Sequence, residues 1–115
     1  MITNGSPGIG RATAQIFAEE GCDVILVSRT LADLDRAKDE IRSKFQVSVT
    51  TVAADLSDSR NVDKLVAAHP DIDILVNNAG ITRDKSLRKM ADEDWMQVIN
   101  VNLSGTYYCT SAVLP

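Results

Sequence analysis

Short apolar runs alternate with longer amphipathic runs along the chain. Asp23-Val24-Ile25-Leu26-Val27-Ser28, Val47-Ser48-Val49-Thr50-Thr51-Val52 and Ile72-Asp73-Ile74-Leu75-Val76-Asn77 read as strands. Apolar runs of this kind are buried on both faces, as in parallel sheets covered by helices. Between them the periodicity predicts helices. Over 11–20, Ala14, Phe17 and Ala18 share one face, and Gly21 supplies a C-terminal stop. Over 30–44, Thr30 stands at the cap position, and Leu31, Leu34, Ala37 and Ile41 form one stripe. Over 57–68, Val62, Leu65 and Val66 face inward, ahead of His69-Pro70. A last long helix is expected over 92–114, with Pro115 as its stop. Asp92, Glu93 and Asp94 fill its first turn, where acidic groups suit the helix dipole.

Met1-Ile2-Thr3 has the character of a strand tail. The full order is strand, helix, strand, helix, strand, helix, strand, loop, helix. Repeated βαβ units of this kind predict a Rossmann-type, doubly wound α/β sheet. The first strand of that topology is central, so a stub there predicts an incomplete sheet, with the first strand cut short and later strands absent.

The 115 residues suffice for one domain, taken as 1–115. The hydrophobic fraction is 44%, the charged fraction 24% and the net charge −4, all ordinary for a soluble globular chain. A mildly acidic balance argues against a nucleic-acid or anionic-membrane surface. Any bound anion must be gripped by local geometry. No signal peptide or membrane span is expected, because the start lacks a basic and apolar pattern and the uncharged run 96–115 carries Gln97, Asn100, Asn102 and Ser104. Cys22 and Cys109 are too few for a disulfide framework or a zinc site, and free thiols in the cytoplasm are the expectation. No metal site is predicted.

Gly5-Ser6-Pro7-Gly8-Ile9-Gly10 joins the strand tail to the first helix. Glycines permit positive φ and close backbone approach to a pyrophosphate, and the helix start behind them offers free N–H groups. A glycine-rich turn also arises for structural reasons alone. Here the flanking strand and helix favour nucleotide binding. Dinucleotide folds that select NAD place an acid about 20 residues after the loop. That position holds Ser28, followed by Arg29. No carboxylate repels a 2′-phosphate there, and a guanidinium is available to pair with one, which favours NADP(H) over NAD(H). The bland alternative is a solvated Arg29–Asp33 pair. Arg11 is a second basic candidate, on a helix that could equally face solvent.

Thr3-Asn4-Gly5-Ser6-Pro7-Gly8-Ile9-Gly10 resembles the T-G-x-x-x-G-I-G loop of the short-chain dehydrogenase/reductase family. Asp55-Leu56, Asn77-Asn78-Ala79-Gly80 and Asn100-Val101-Asn102-Leu103 resemble three further motifs of that family, in the same order. Asn78-Ala79-Gly80-Ile81-Thr82-Arg83-Asp84 looks like the branch that reduces 3-oxoacyl-carrier-protein and acetoacetyl-CoA. In one departure, the family's first loop glycine aligns with Asn4, the non-glycine type that best tolerates positive φ.

The resemblance implies cofactor contacts from Asn4, Gly5, Ser6, Gly8, Ile9 and Gly10. It implies others from Asp55 and Leu56, with the Asp55 carboxylate accepting from the adenine amino group, where the bland alternative is a turn or cap. It gives the Asn78, Ala79 and Gly80 backbone a place along the cofactor ribose and Asn77 a role in steadying the sheet. Asn102 lies in an apolar stripe with Trp95, Ile99 and Leu103 and is unfavourable in mid-helix by propensity. It is either a satisfied core residue or, by resemblance, a catalytic asparagine whose helix distortion holds a water in a proton relay. His69 reads as a surface residue. Trp95, Met96, Tyr107 and Tyr108 read as core or subunit-interface residues, and by resemblance the last helix belongs to a dimer or tetramer interface.

The family's Tyr-x-x-x-Lys pair, in which the Lys charge lowers the phenol pKa, does not occur in this sequence. Tyr107 is followed four places on by Ser111, and Tyr108 by Ala112. The resemblance therefore implies an NADP(H)-dependent reductase of ketones, with a 3-oxoacyl thioester as substrate class, of which these 115 residues are the cofactor-binding part and are inactive alone. The alternatives are a non-catalytic nucleotide-binding module or sensor, and a flavodoxin-like domain, against which the N-N-A-G run argues.

Overall fold

The computed structural model describes residues 1–5 and 8–114. Ser6, Pro7 and the expected stop at Pro115 lie outside them. The elements are β1 (Ile2–Thr3), α1 (Gly8–Glu19), β2 (Val24–Ser28), α2 (Leu31–Lys44), β3 (Val49–Ala53) and α3 (Ser59–Ala68). Then come α4 (Asp92–Val98), a π-helical turn (Ile99–Ser104) and α5 (Gly105–Val113). The predicted elements are thus present within a few residues, with two differences.

The fourth predicted strand, 72–77, forms only a single parallel bridge, Ile2 to Val76. Thr3 N donates to Val76 O at 3.1 Å and Val76 N to Met1 O at 2.9 Å. β1 offers just two strand residues as partner, too few to carry a longer ladder. The predicted last helix is not uniform. It widens over Ile99–Ser104, where Gly105 N donates to Asn100 O, one residue further back than an α-helix allows.

The three strands are parallel in the order β1-β2-β3, with Ile2 opposite Leu26 and Val24 opposite Val49. The 72–77 segment adds to the free side of β1. The resulting order, 3-2-1-4, is one mononucleotide-binding half, 3-2-1, with the place of the next strand beside it. β2 shows why its run is continuously apolar. Val24 and Leu26 enter a cluster with Ala14, Ala18, Leu34, Ala37 and Ile41 of α1 and α2. Ile25 and Val27 pack into a second cluster with Val62 and Leu65 of α3 and Cys109 of α5. Leu26 and Val27 are both 0% exposed, so neighbouring residues are buried on opposite faces.

Helix ends follow local chemistry. Gly21 adopts φ 87°, and Gly21 N donates to Ala18 O while Cys22 N donates to Phe17 O, the paired bonds of a Schellman stop. Asp58 caps α3 by accepting from Arg60 N at 3.0 Å. Thr30 occupies the cap position of α2 without a side-chain bond. Leu31, expected in the α2 stripe, is 56% exposed as the first residue of the helix. Trp95 and Tyr107 are 58% and 66% exposed and Met96 is also exposed, so the core alternative does not hold for them; Tyr108 packs into the second cluster.

Candidate functional site

The C-terminal ends of the strands converge on a small set of polar groups. Thr3 is 1% exposed at the end of β1. Its hydroxyl donates to Val76 O at 3.3 Å and accepts from Asn78 N and Ala79 N, each at 2.9 Å. The amides that leave the sheet after Asn77 are satisfied in this way. Asn78 Nδ2 donates to Asn4 O at 3.2 Å. Asn77 points the other way, donating from Nδ2 to Thr110 Oγ1 at 3.0 Å, which ties the strand end to α5.

The loop backbone takes the shape that the residue types allow. Asn4 has φ 50° and Gly8 has φ 53°. Asn4 thus performs the left-handed turn expected of the first loop glycine. A β-carbon on Gly8 would meet nothing within 4 Å, so the backbone at the start of α1 faces open space. A β-carbon on Gly5 would come 2.9 Å from the Leu26 side chain. These two glycines serve different needs, open approach outside and close packing inside.

Asn4, Ser28, Arg29, Asp55, Leu56, Ala79 and Gly80 all line one cleft of about 230 Å³. Val27, Thr30, Asp33, Ala54, Ile81 and Val101 complete it. Of the other residues singled out in the sequence, Gly5, Gly8, Ile9, Gly10, Asn78 and Asn102 do not line it, and Ser6 lies outside the described residues. Ile9 is 78% exposed beside the start of α1. Another hollow, at the opposite strand ends, is lined by Cys22, Asp23, Asp71 and Asp73 among others. Ligands of doubly wound sheets bind at the carboxyl ends, where helix N-termini also point, and that selects the first cleft.

Charges around the cleft are sorted by pairing. Asp33 pairs with Arg36, which displaces the Arg29–Asp33 alternative. Arg11 pairs with Glu40, which also accepts from Gln15 Nε2 at 2.9 Å, so Arg11 is directed at α2. Among the described residues Arg29 has no ion-pair partner and is exposed. Asp55 holds a tight turn, accepting from Ser57 N at 3.0 Å and Ser57 Oγ at 2.7 Å through Oδ1. The turn role is therefore real, in a residue that also lines the cleft.

Asn102 sits in the π-helical turn and is exposed. Its amide makes a two-bond match to the backbone of one residue: Ile81 N donates to Oδ1 at 2.8 Å and Nδ2 donates to Ile81 O at 2.9 Å. The unfavourable mid-helix Asn thereby has a structural partner outside its helix. Thr3 and Ile81 were not singled out from the sequence. A hydroxyl in an otherwise apolar strand tail was the available signal for Thr3; Ile81 acts through its backbone, which residue type does not reveal. No group of three or more His, Cys, Asp or Glu side chains suited to a metal occurs among the described residues.

A family model described as short chain dehydrogenase matches residues 1–115. The chain is 41% identical over 118 residues to a 3-oxoacyl-[acyl-carrier-protein] reductase of Thermotoga maritima, covering 100% of the chain and 48% of the relative. It is 34% identical to the peroxisomal multifunctional enzyme type 2 of Drosophila melanogaster, covering 100% of the chain and 21% of that protein. Among solved structures, L-sorbose reductase from Gluconobacter frateurii, complexed with NADPH and L-sorbose, superimposes with TM-score 0.91 at 33% identity, covering 99% of this chain and 45% of that one. An alcohol dehydrogenase from Thermococcus sibiricus complexed with 5-hydroxy-NADP gives TM-score 0.90 at 31% identity, covering 98% and 50%. The chain thus spans about half the length of these reductases (48%, 45% and 50%). With the loop, the paired asparagines and the sheet order in place, the chain belongs to the short-chain dehydrogenase family.

Proposed function

We propose that a protein carrying this chain is an NADP(H)-dependent oxidoreductase that interconverts a ketone and a secondary alcohol, with 3-oxoacyl thioesters as its substrate class. The observation that carries the cofactor part is the cleft at the strand ends, with the start of α1 open at Gly8 and Arg29 without an ion-pair partner among the described residues. The residues fit a dinucleotide. Gly8 leaves room for a pyrophosphate against the α1 amides. Asp55, Leu56, Ala79 and Gly80 line the cleft, which supports the reading that Asp55 would accept from an adenine amino group. Arg29 and Ser28, both in the cleft lining, would receive a 2′-phosphate.

When bound, the nicotinamide supplies or accepts the hydride. The chain's own part would be to orient that group, with Asn102 fixed to Ile81 of the cleft lining. The amide match between Asn102 and Ile81 commits the side chain and fixes the helix turn against the cleft wall, so the distorted turn at Asn102, and not its amide, would hold a water for proton transfer. Thioester specificity is drawn from the 3-oxoacyl-[acyl-carrier-protein] reductases to which the chain is similar. Exposed Trp95, Leu103 and Tyr107 favour a homo-oligomer built through the last helix. No helix of the described residues is long and apolar enough to cross a membrane.

The test is consumption of NADPH by the protein that carries this chain on addition of an acetoacetyl thioester. Turnover that depends on the thioester is the expected result. Nucleotide binding without any turnover of ketones would favour the non-catalytic nucleotide-binding module instead.

A further inference from the structure

The segment between the cofactor wall and α4 has no regular secondary structure, yet it is fastened at successive alternate positions. Ile81 is held by Asn102, as described. Two residues on, Arg83 Nε donates to Gln97 Oε1 at 3.2 Å, while its Nη1 donates to Thr82 O at 2.8 Å. Two residues further, Lys85 Nζ donates to Asp94 Oδ2 at 2.8 Å. Asp94 and Gln97 are three apart, on one face of α4. Asp94 Oδ2 also accepts from Ala91 N at 3.1 Å, so one carboxylate closes the start of α4 and grips the loop. Asp94 is only 15% exposed at its side chain, against 47% for Lys85, so the acceptor is the fixed member. The ladder's inner end, Ile81, lies in the cleft wall beside Ala79 and Gly80.

We infer that Arg83 and Lys85 are positioning residues: by docking on Gln97 and Asp94 they hold the 79–81 backbone in the shape that lines the nucleotide cleft. Neither touches the cleft. Each acts by restricting a segment that makes no strand or helix of its own, so that the wall does not have to be ordered when a ligand arrives. The nucleotide part of this inference rests on the cofactor proposal above; the ordering part does not.

The experiment compares the protein carrying this chain with its Lys85→Met, Arg83→Met and Lys85→Arg variants. Two quantities are read: NADPH affinity by titration, and amide hydrogen exchange over 79–86. An exposed ion pair such as Lys85–Asp94, or an exposed side-chain hydrogen bond such as Arg83–Gln97, is worth up to about 1 kcal/mol, so roughly two- to fivefold weaker NADPH binding is expected for each Met variant. Exchange over 79–86 should quicken by a similar factor, while exchange in β2 stays unchanged. Lys85→Arg, which keeps the charge, should restore both. Unchanged exchange over 79–86 in both Met variants would overturn the inference, as would quickened exchange with unaltered affinity. If the unsubstituted protein binds no nucleotide, the cofactor proposal fails, and the exchange arm alone decides whether the ladder orders the wall.

Discussion

Gly10 lies directly against the Asn78 side chain: a β-carbon on Gly10 would come 2.6 Å from Asn78 Nδ2 and would also collide with Asn4 O. Two distant loops therefore meet over a hydrogen atom. Asn78 Nδ2 bonds Asn4 O at 3.2 Å through the same space. Gly10→Ala must separate them. Overpacking of this kind costs about 1–3 kcal/mol. The expected outcome is a lower urea midpoint together with loss of nucleotide binding. An unchanged midpoint would contradict the close approach.

Asn4 stands at φ 50° where glycine is unstrained. A residue without the local hydrogen bonding of Asn faces a penalty of about 1–2 kcal/mol in that region. Asn4→Ala should destabilise by about that amount, and Asn4→Gly should stay near the starting stability. Thermal unfolding of the two variants side by side checks the order.

Thr3 accepts from two amides, Asn78 N and Ala79 N, at one buried hydroxyl. Thr3→Val keeps the shape and removes the acceptor. Each buried N–H left unsatisfied costs about 1–3 kcal/mol. The variant should unfold at clearly lower urea, and amides Asn78 and Ala79 should exchange faster in the folded state.

Burial pushes the Cys109 thiol above its ordinary pKa, and the residue is 1% exposed. Because the folded value is raised, this thiol contributes stability that is complete below the unfolded value and lost as pH rises through the folded one. Stability should decline on the alkaline side, and Cys109→Ala should shed that part of the decline. A thiol reagent at mildly alkaline pH should modify half-buried Cys22 first and reach Cys109 only as the chain unfolds. Equal labelling rates would contradict the buried placement.

The alternation of β2 was legible because each of its residues answers to one face of the sheet, and burial on both faces leaves an unbroken apolar run. The helix stop at Gly21 was legible for the same local reason, since its φ of 87° suits glycine. The 72–77 strand was overestimated, because strand length depends on the partner, and a two-residue β1 cannot be seen from 72–77 itself. The fate of Arg29 was legible only by halves. Its placement beside Ser28 was plain, but the choice of Arg36 by Asp33 is a matter of helix geometry three residues apart. Thr3 escaped notice because it answers backbone groups of a distant segment, and the Arg83–Gln97 and Lys85–Asp94 contacts because they dock a segment without periodicity on a helix, which residue spacing does not reveal.

The central claim is that the cleft beside Arg29 takes a dinucleotide bearing a 2′-phosphate. Titration of the protein carrying this chain with NADPH and with NADH, before and after Arg29→Gln, tests it most directly. Hydrogen bonds to charged groups contribute about 1.5–3 kcal/mol, so NADPH should bind more tightly than NADH, and the substitution should weaken NADPH at least about tenfold while leaving NADH unchanged. Equal affinity for the two nucleotides, tighter binding of NADH, or an Arg29→Gln protein that keeps its full affinity for NADPH would contradict it.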